Sequence, residues 1–196
     1  MEFDKACLLR LYVNKQPLFT VLKIMTDSTV GEFRRSQPAP AWADYTQSGN
    51  QHMQRHQPQQ ARDCYCKALV LAEKLMVEGV RQRQEPDVIH LYAMSCNNLA
   101  DSFQALGKAL EAETILLKSH STLMALLDDR NLALPVRQEA YQGLHRALAQ
   151  LIGFYNQTQQ PAALEEVTTQ FKRHSQQFLR ELTQPCQEIS ADTPMG

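Results

Sequence analysis

Two histidines and two cysteines are the residues whose spacing invites chemistry. His52 and His56 stand four apart, which places two imidazoles on one helical face, where a third ligand would complete a zinc site. Cys64 and Cys66 form a C-x-C. In a helix, residues two apart point to different sides, so one shared ion is difficult and two small packing residues are the plainer reading. Cys186 lies in a polar tail with no neighbour that would activate its thiol. The chain contains no Walker loop, G-x-G-x-x-G, G-x-S-x-G or H-E-x-x-H. His52 also falls in a column of packing residues described below, so packing is preferred to metal binding. No catalytic centre, metal or cofactor is expected.

The elements that must position any site are helical. From residue 41 to 182 the chain is filled by Ala, Leu, Gln, Glu, Lys and Arg, and it has only seven glycines in 196 residues, a composition that favours an all-α fold. Lysine plus arginine number 20 against 21 acidic residues, which gives no electrostatic reason to expect nucleic acid or an acidic membrane as partner. No run approaches the ~20 apolar residues needed to cross a bilayer. The first residues, MEFDKACLLRLYV, begin acidic and lack a cleavage pattern, so no secretory signal is expected. Five cysteines, an odd number without framework spacing, read as reduced thiols. A cytoplasmic protein is expected.

Three regions follow. Residues 1–38 hold LLRLYV and PLFTVLKIM before a polar run with Gly31 and Pro38, and read as an N-terminal arm; the stretch 18–25 suits a strand or a helix. Residues 39–182 read as six helices in three antiparallel hairpins, at 41–55, 58–83, 86–106, 108–128, 135–157 and 161–182. Pro58, Pro86, Pro135 and Pro161 stand at the starts, where a missing amide hydrogen is harmless. Gly107 ends a helix. Residues 183–196 form a polar C-terminal tail.

The hairpins share a register of 51 residues. Ala61, Ala112 and Ala163 lie on it, as do Gly49, Ala100 and Leu151; His52, Phe103 and Phe154; Tyr65, Leu116 and Val167; Ala68, Ser119 and Gln170. Small residues let two helices approach, and larger ones wedge between hairpins. Within the first unit, Tyr45, Gly49, His52, Ala61, Tyr65 and Ala68 resemble the tetratricopeptide repeat, and Asn98, Leu99, Ala100, Phe103, Ala112 and Leu116 do so in the second. The third is degenerate, with Leu151 at the small position and Gln170 for the last alanine. The family repeat usually has 34 residues, so each helix here would be about two turns longer. Such enlarged units resemble those of bacterial peptide-sensing regulators and some cargo adaptors.

The resemblance implies a right-handed solenoid, here with an N-terminal arm, whose concave face is built by the first helix of each hairpin. Carried over by register, that face holds Ala43, Thr46, Asn50 and Met53, then Met94, Asn97, Asp101 and Gln104, then His145, Leu148, Ile152 and Tyr155. A lysine-dependent carboxylate clamp is not expected, because Asn50 and Asn97 have no accompanying lysine. Leu148, Ile152 and Tyr155 suit apolar anchors of an extended or helical segment; equally, they pack inside the third hairpin. The implied function is a non-catalytic scaffold or adaptor that binds a protein or peptide, with a secretion-type chaperone or a peptide-responsive regulator as alternatives. Phe171, Phe178 and Leu182 leave an apolar face at the end of the array, which the arm would cover in the same molecule or in a homodimer.

Overall fold

The computed structural model describes residues 38–83 and 86–183. The expected arm and tail, with Cys7 and Cys186, lie outside these residues except for Pro38 and Thr183. Six α-helices follow one another: α1 Pro38–Gln54, α2 Pro58–Glu78, α3 Asp87–Ala105, α4 Ala109–Asp128, α5 Leu134–Gln157 and α6 Pro161–Thr183. The described residues contain no strand. The described residues are all-α, the class that the composition favours.

Helix boundaries follow local chemistry. Pro58 and Pro161 are the first residues of α2 and α6, Pro135 is the second of α5, and Pro86 immediately precedes α3, positions where an amide hydrogen would have no partner anyway. The α2 helix continues as a π-helical turn over Gly79–Arg83, which keeps Val80 in the core. Each hairpin turn contains one residue with positive φ: His56 at 55°, Gly107 at 68° and Gln159 at 54°. At all three turns an amide closes back across the helix end. Gln57 N–H donates to His52 C=O at 2.9 Å, Lys108 to Phe103 at 2.9 Å, and Gln160 to Tyr155 at 3.0 Å. These are the six-to-one bonds of a Schellman ending, which satisfy carbonyls the helix leaves open.

Each helix packs on the next, and α3 also packs on α5 and α4 on α6. Side chains add two further links between alternate helices. Trp42 Nε1 on α1 donates to Ser95 Oγ on α3 at 2.8 Å, and Lys118 Nζ on α4 meets Glu73 Oε1 on α2 at 2.6 Å. One continuous core runs through the array, with Ile89, Tyr92, Leu99, Phe103, Leu116, Leu123, Leu144 and Leu151 fully buried. Each such side chain contributes ~1.5–3 kcal/mol relative to exposure, which accounts for the helices' amphipathic patterning. At the end of the array Phe178 is buried beside Tyr141, with ring centroids 5.4 Å apart, and Phe171 packs on His145 at 4.7 Å. Leu179 and Leu182 remain exposed there. None of the described helices is long and apolar enough to cross a membrane.

Candidate functional site

The first two hairpins bring part of the expected surface together. Asn50 and Asp101 are exposed, whereas Met53, Met94, Asn97 and Gln104 are half-buried. Tyr65 reaches from α2 across Gly49 and its hydroxyl donates to Asn50 Oδ1 at 2.7 Å. Burial first, then the charge of Asp101, pushes the Tyr65 phenol up to about 12. That electrostatic contact places Asp101 of α3 near the Asn50–Tyr65 pair. Burial among its surroundings also raises the Asp101 carboxyl, although the residue reaches water. Thr46 Oγ1 and Asn97 Oδ1, 51 residues apart, are both buried without a hydrogen-bond partner. Such atoms cost ~1–3 kcal/mol each unless something meets them.

The third hairpin does not follow the 51-residue register at its turn. The closing carbonyls belong to His52, Phe103 and Tyr155, so the second interval is one residue longer and Tyr155, not Phe154, continues that column. One residue turns a helical position by ~100°, and the expected anchors are corrected accordingly. Leu148 and Tyr155 are core residues, 9% and 2% exposed; the Tyr155 hydroxyl donates to Glu113 Oε1 of α4 at 3.0 Å. His145 is exposed but sits edge-on between Tyr141, at 4.6 Å, and Phe171 of α6. Ile152 alone remains at the surface as an aliphatic residue. The positions equivalent to Met94, Asn97, Asp101 and Gln104 become Arg146, Ala149, Gly153 and Asn156. The last three are exposed, and Arg146 pairs with Glu139 at 2.7 Å. The expected apolar third is therefore reduced to Ile152, beside small and polar residues. The sequence carried a signal for this shift: Pro58 and Pro161, which open equivalent helices, are not separated by twice 51 but by one residue more.

The family described as "Protein of unknown function (DUF2753)" matches residues 40–186, which cover more than half of the chain and nearly all of α1 to α6. The chain belongs to the DUF2753 family. Comparison with curated proteins and with solved structures finds no match.

The residues of this DUF2753 chain that invited chemistry are placed differently by the fold. His56 has left α1 and adopts a left-handed conformation, so it does not share a helical face with His52. The His52 imidazole instead donates through Nδ1 to Gln57 Oε1 at 2.8 Å, a local tie across the turn. Among the described residues no three His, Cys, Asp or Glu side chains are grouped to hold a metal ion. Cys64 is a half-buried free thiol, and Cys66 is half-buried two residues on. Cys96 is fully buried, and burial followed by the Glu73 charge pushes its thiol up to about 12. It therefore stays protonated and unreactive at neutral pH. Beside it, the Tyr92 hydroxyl donates to Thr122 Oγ1 at 3.2 Å.

Proposed function

We propose that this protein is a non-catalytic interaction module, a tetratricopeptide-like right-handed solenoid of three hairpins that takes a protein or peptide segment along the face made by α1, α3 and α5. The reading draws support from the packing of each helix on the next, of α3 on α5 and of α4 on α6, and from three repeated hairpin endings, the near-neighbour contacts of a repeat array. The observation that carries it is the polar cluster of Asn50, Tyr65 and Asp101, in which Asn50 and Asp101 stand at equivalent positions and are exposed. An exposed amide and carboxylate offer hydrogen-bonding groups to the main chain of a bound segment. With Leu148 and Tyr155 in the core, the groove recognises its partner by polar contacts rather than by apolar anchors. Soluble placement in the cytoplasm fits the free thiols of Cys64 and Cys96.

The test compares partner capture from the native cell by wild type, Asn97→Ala with Asp101→Lys, and Ile152→Asp. The first variant is expected to bind at least about tenfold more weakly, equivalent to ~1.4 kcal/mol, with its melting temperature kept; Ile152→Asp is expected to bind as wild type. If Asn97→Ala with Asp101→Lys retained the same partners at the same affinity, the groove reading would be wrong.

A further inference from the structure

The α6 helix and the α4–α5 loop enclose a concavity of about 320 Å³ lined by Arg130, Arg173, Gln176, Gln177, Arg180 and Glu181. The α6 members Arg173, Gln176, Gln177 and Arg180 follow the i, i+3, i+4, i+7 spacing of one helical face, and Arg130 comes from the loop. Three guanidiniums therefore share a rim with a single carboxylate, and both oxygens of that carboxylate are engaged. Glu181 Oε1 accepts from Nε and Nη2 of Arg130 at 3.1 and 2.6 Å, and Oε2 accepts from Nη2 of Arg137 at 2.7 Å. Among the described residues no carboxylate pairs with Arg173 or Arg180.

Two of the three guanidiniums are held in place. The fork on Glu181 fixes Arg130. Arg173 Nη2 lies 3.2 Å from His174 Nε2, and because a guanidinium only donates, Nε2 must be the acceptor. The ring proton then sits on Nδ1 and is donated to Asp128 Oδ2 at 2.6 Å. Asp128 and His174 thus form a chain that orients Arg173, and Asp128 is occupied by it.

We propose that this concavity binds the phosphate group of a small, polar phosphomonoester. The lining residues leave two positive charges uncompensated, which matches the roughly −1.5 to −2 that a phosphomonoester carries at neutral pH. Guanidinium forks complement phosphate oxygens in charge and in geometry. The amides of Gln176 and Gln177 add donors and acceptors for a hydroxyl-bearing body. No aromatic or aliphatic side chain is in the lining, so no aromatic ring sandwiches a base there and nothing covers an acyl chain. The volume is near the lower end for small-molecule sites. The ligand is accordingly of the phosphorylated-polyol kind rather than a nucleotide or a phosphate with a lipid tail.

The experiment measures thermal melting and calorimetric binding of the full chain at low, matched ionic strength with glycerol phosphate, adenosine monophosphate and succinate. Glycerol phosphate is expected to raise the melting temperature by roughly 4 °C at ten times its dissociation constant, adenosine monophosphate to bind no more tightly, and succinate to do nothing measurable. Arg173→Gln with Arg180→Gln is expected to weaken glycerol phosphate about tenfold. Arg180→Gln alone, which removes no carboxylate contact, is expected to weaken it severalfold while leaving the unliganded melting temperature unchanged. Equal responses to succinate and glycerol phosphate, tighter binding of adenosine monophosphate, or wild-type binding by either arginine variant would overturn the proposal.

Discussion

His120 shows how a single buried side chain writes a pH dependence into the fold. It is 1% exposed on α4, and its Nε2 has no hydrogen-bond partner. Burial, reinforced by nearby His174, lowers its pKa to about 4 from an ordinary 6.5. The neutral form is therefore favoured in the folded state, while the unfolded chain takes up the proton more readily. Stability is full above pH 6.5 and is lost progressively as pH falls from 6.5 to about 4, with a complete effect on the order of 3 kcal/mol. Chemical denaturation of His120→Leu at pH 7 and pH 4.5 is expected to show a smaller acid loss than wild type. An unchanged pH profile would show that His120 is not the group responsible. Cys96 and Tyr92 share this region but stay neutral across it, because burial pushes both groups upward.

At the scale of elements, hairpin closure depends on complementary volumes at facing register positions. Gly49 faces Tyr65, and a Cβ on Gly49 would stand 2.3 Å from Tyr65 Cε1. The ring cannot retreat easily, since Tyr65 is buried and its hydroxyl is tied to Asn50. In the second hairpin the same columns pair Ala100 with Leu116, both buried: the first partner is larger than glycine and the second smaller than tyrosine. Two glycine substitutions separate packing from intrinsic helix preference. Gly49→Ala is expected to destabilise by ~1–2 kcal/mol despite alanine's better helix propensity. Gly153→Ala, where a Cβ meets nothing within 4 Å, is expected to stabilise by ~0.5–1 kcal/mol. Equilibrium unfolding in denaturant measures both; a stabilising Gly49→Ala would contradict the close approach. Turn endings were legible only at Gly107, because His56 and Gln159 adopt the same left-handed backbone without being glycine.

In the whole molecule, support is uneven along the array. The α3 helix packs on α2, α4 and α5, whereas the principal contacts of α6 are with α4 and α5. The end of the array is secured by Arg137, which donates to Leu127 C=O at 2.7 Å, pairs with Glu181 and lies 5.1 Å from the Phe178 ring centroid. Repeat arrays open from their ends, where a helix has fewest neighbours. Native-state hydrogen exchange is expected to be slowest in α3 and α4 and fastest in the last turns of α6, beyond Phe178. Uniform protection across all six helices would mean that the array opens only as one unit.

The sequence alone determined the all-α class, six helices and the residues near which each starts, because proline placement, composition and 3.6-residue amphipathic spacing are local properties carried by each segment. It also carried the 51-residue spacing of the first two hairpins, since columns such as Ala61 and Ala112, both fully buried, must stay small where helices approach. Only the tertiary structure decided which side of α5 faces outward. One residue of slippage, visible afterwards in the distance from Pro58 to Pro161, rotates that helix by ~100°, burying Leu148 and Tyr155 and presenting Ala149, Gly153 and Asn156 instead. The arginine concavity was equally out of reach, because it joins Arg130 to residues more than forty positions away, and no local pattern records which guanidiniums the single Glu181 will leave unpaired.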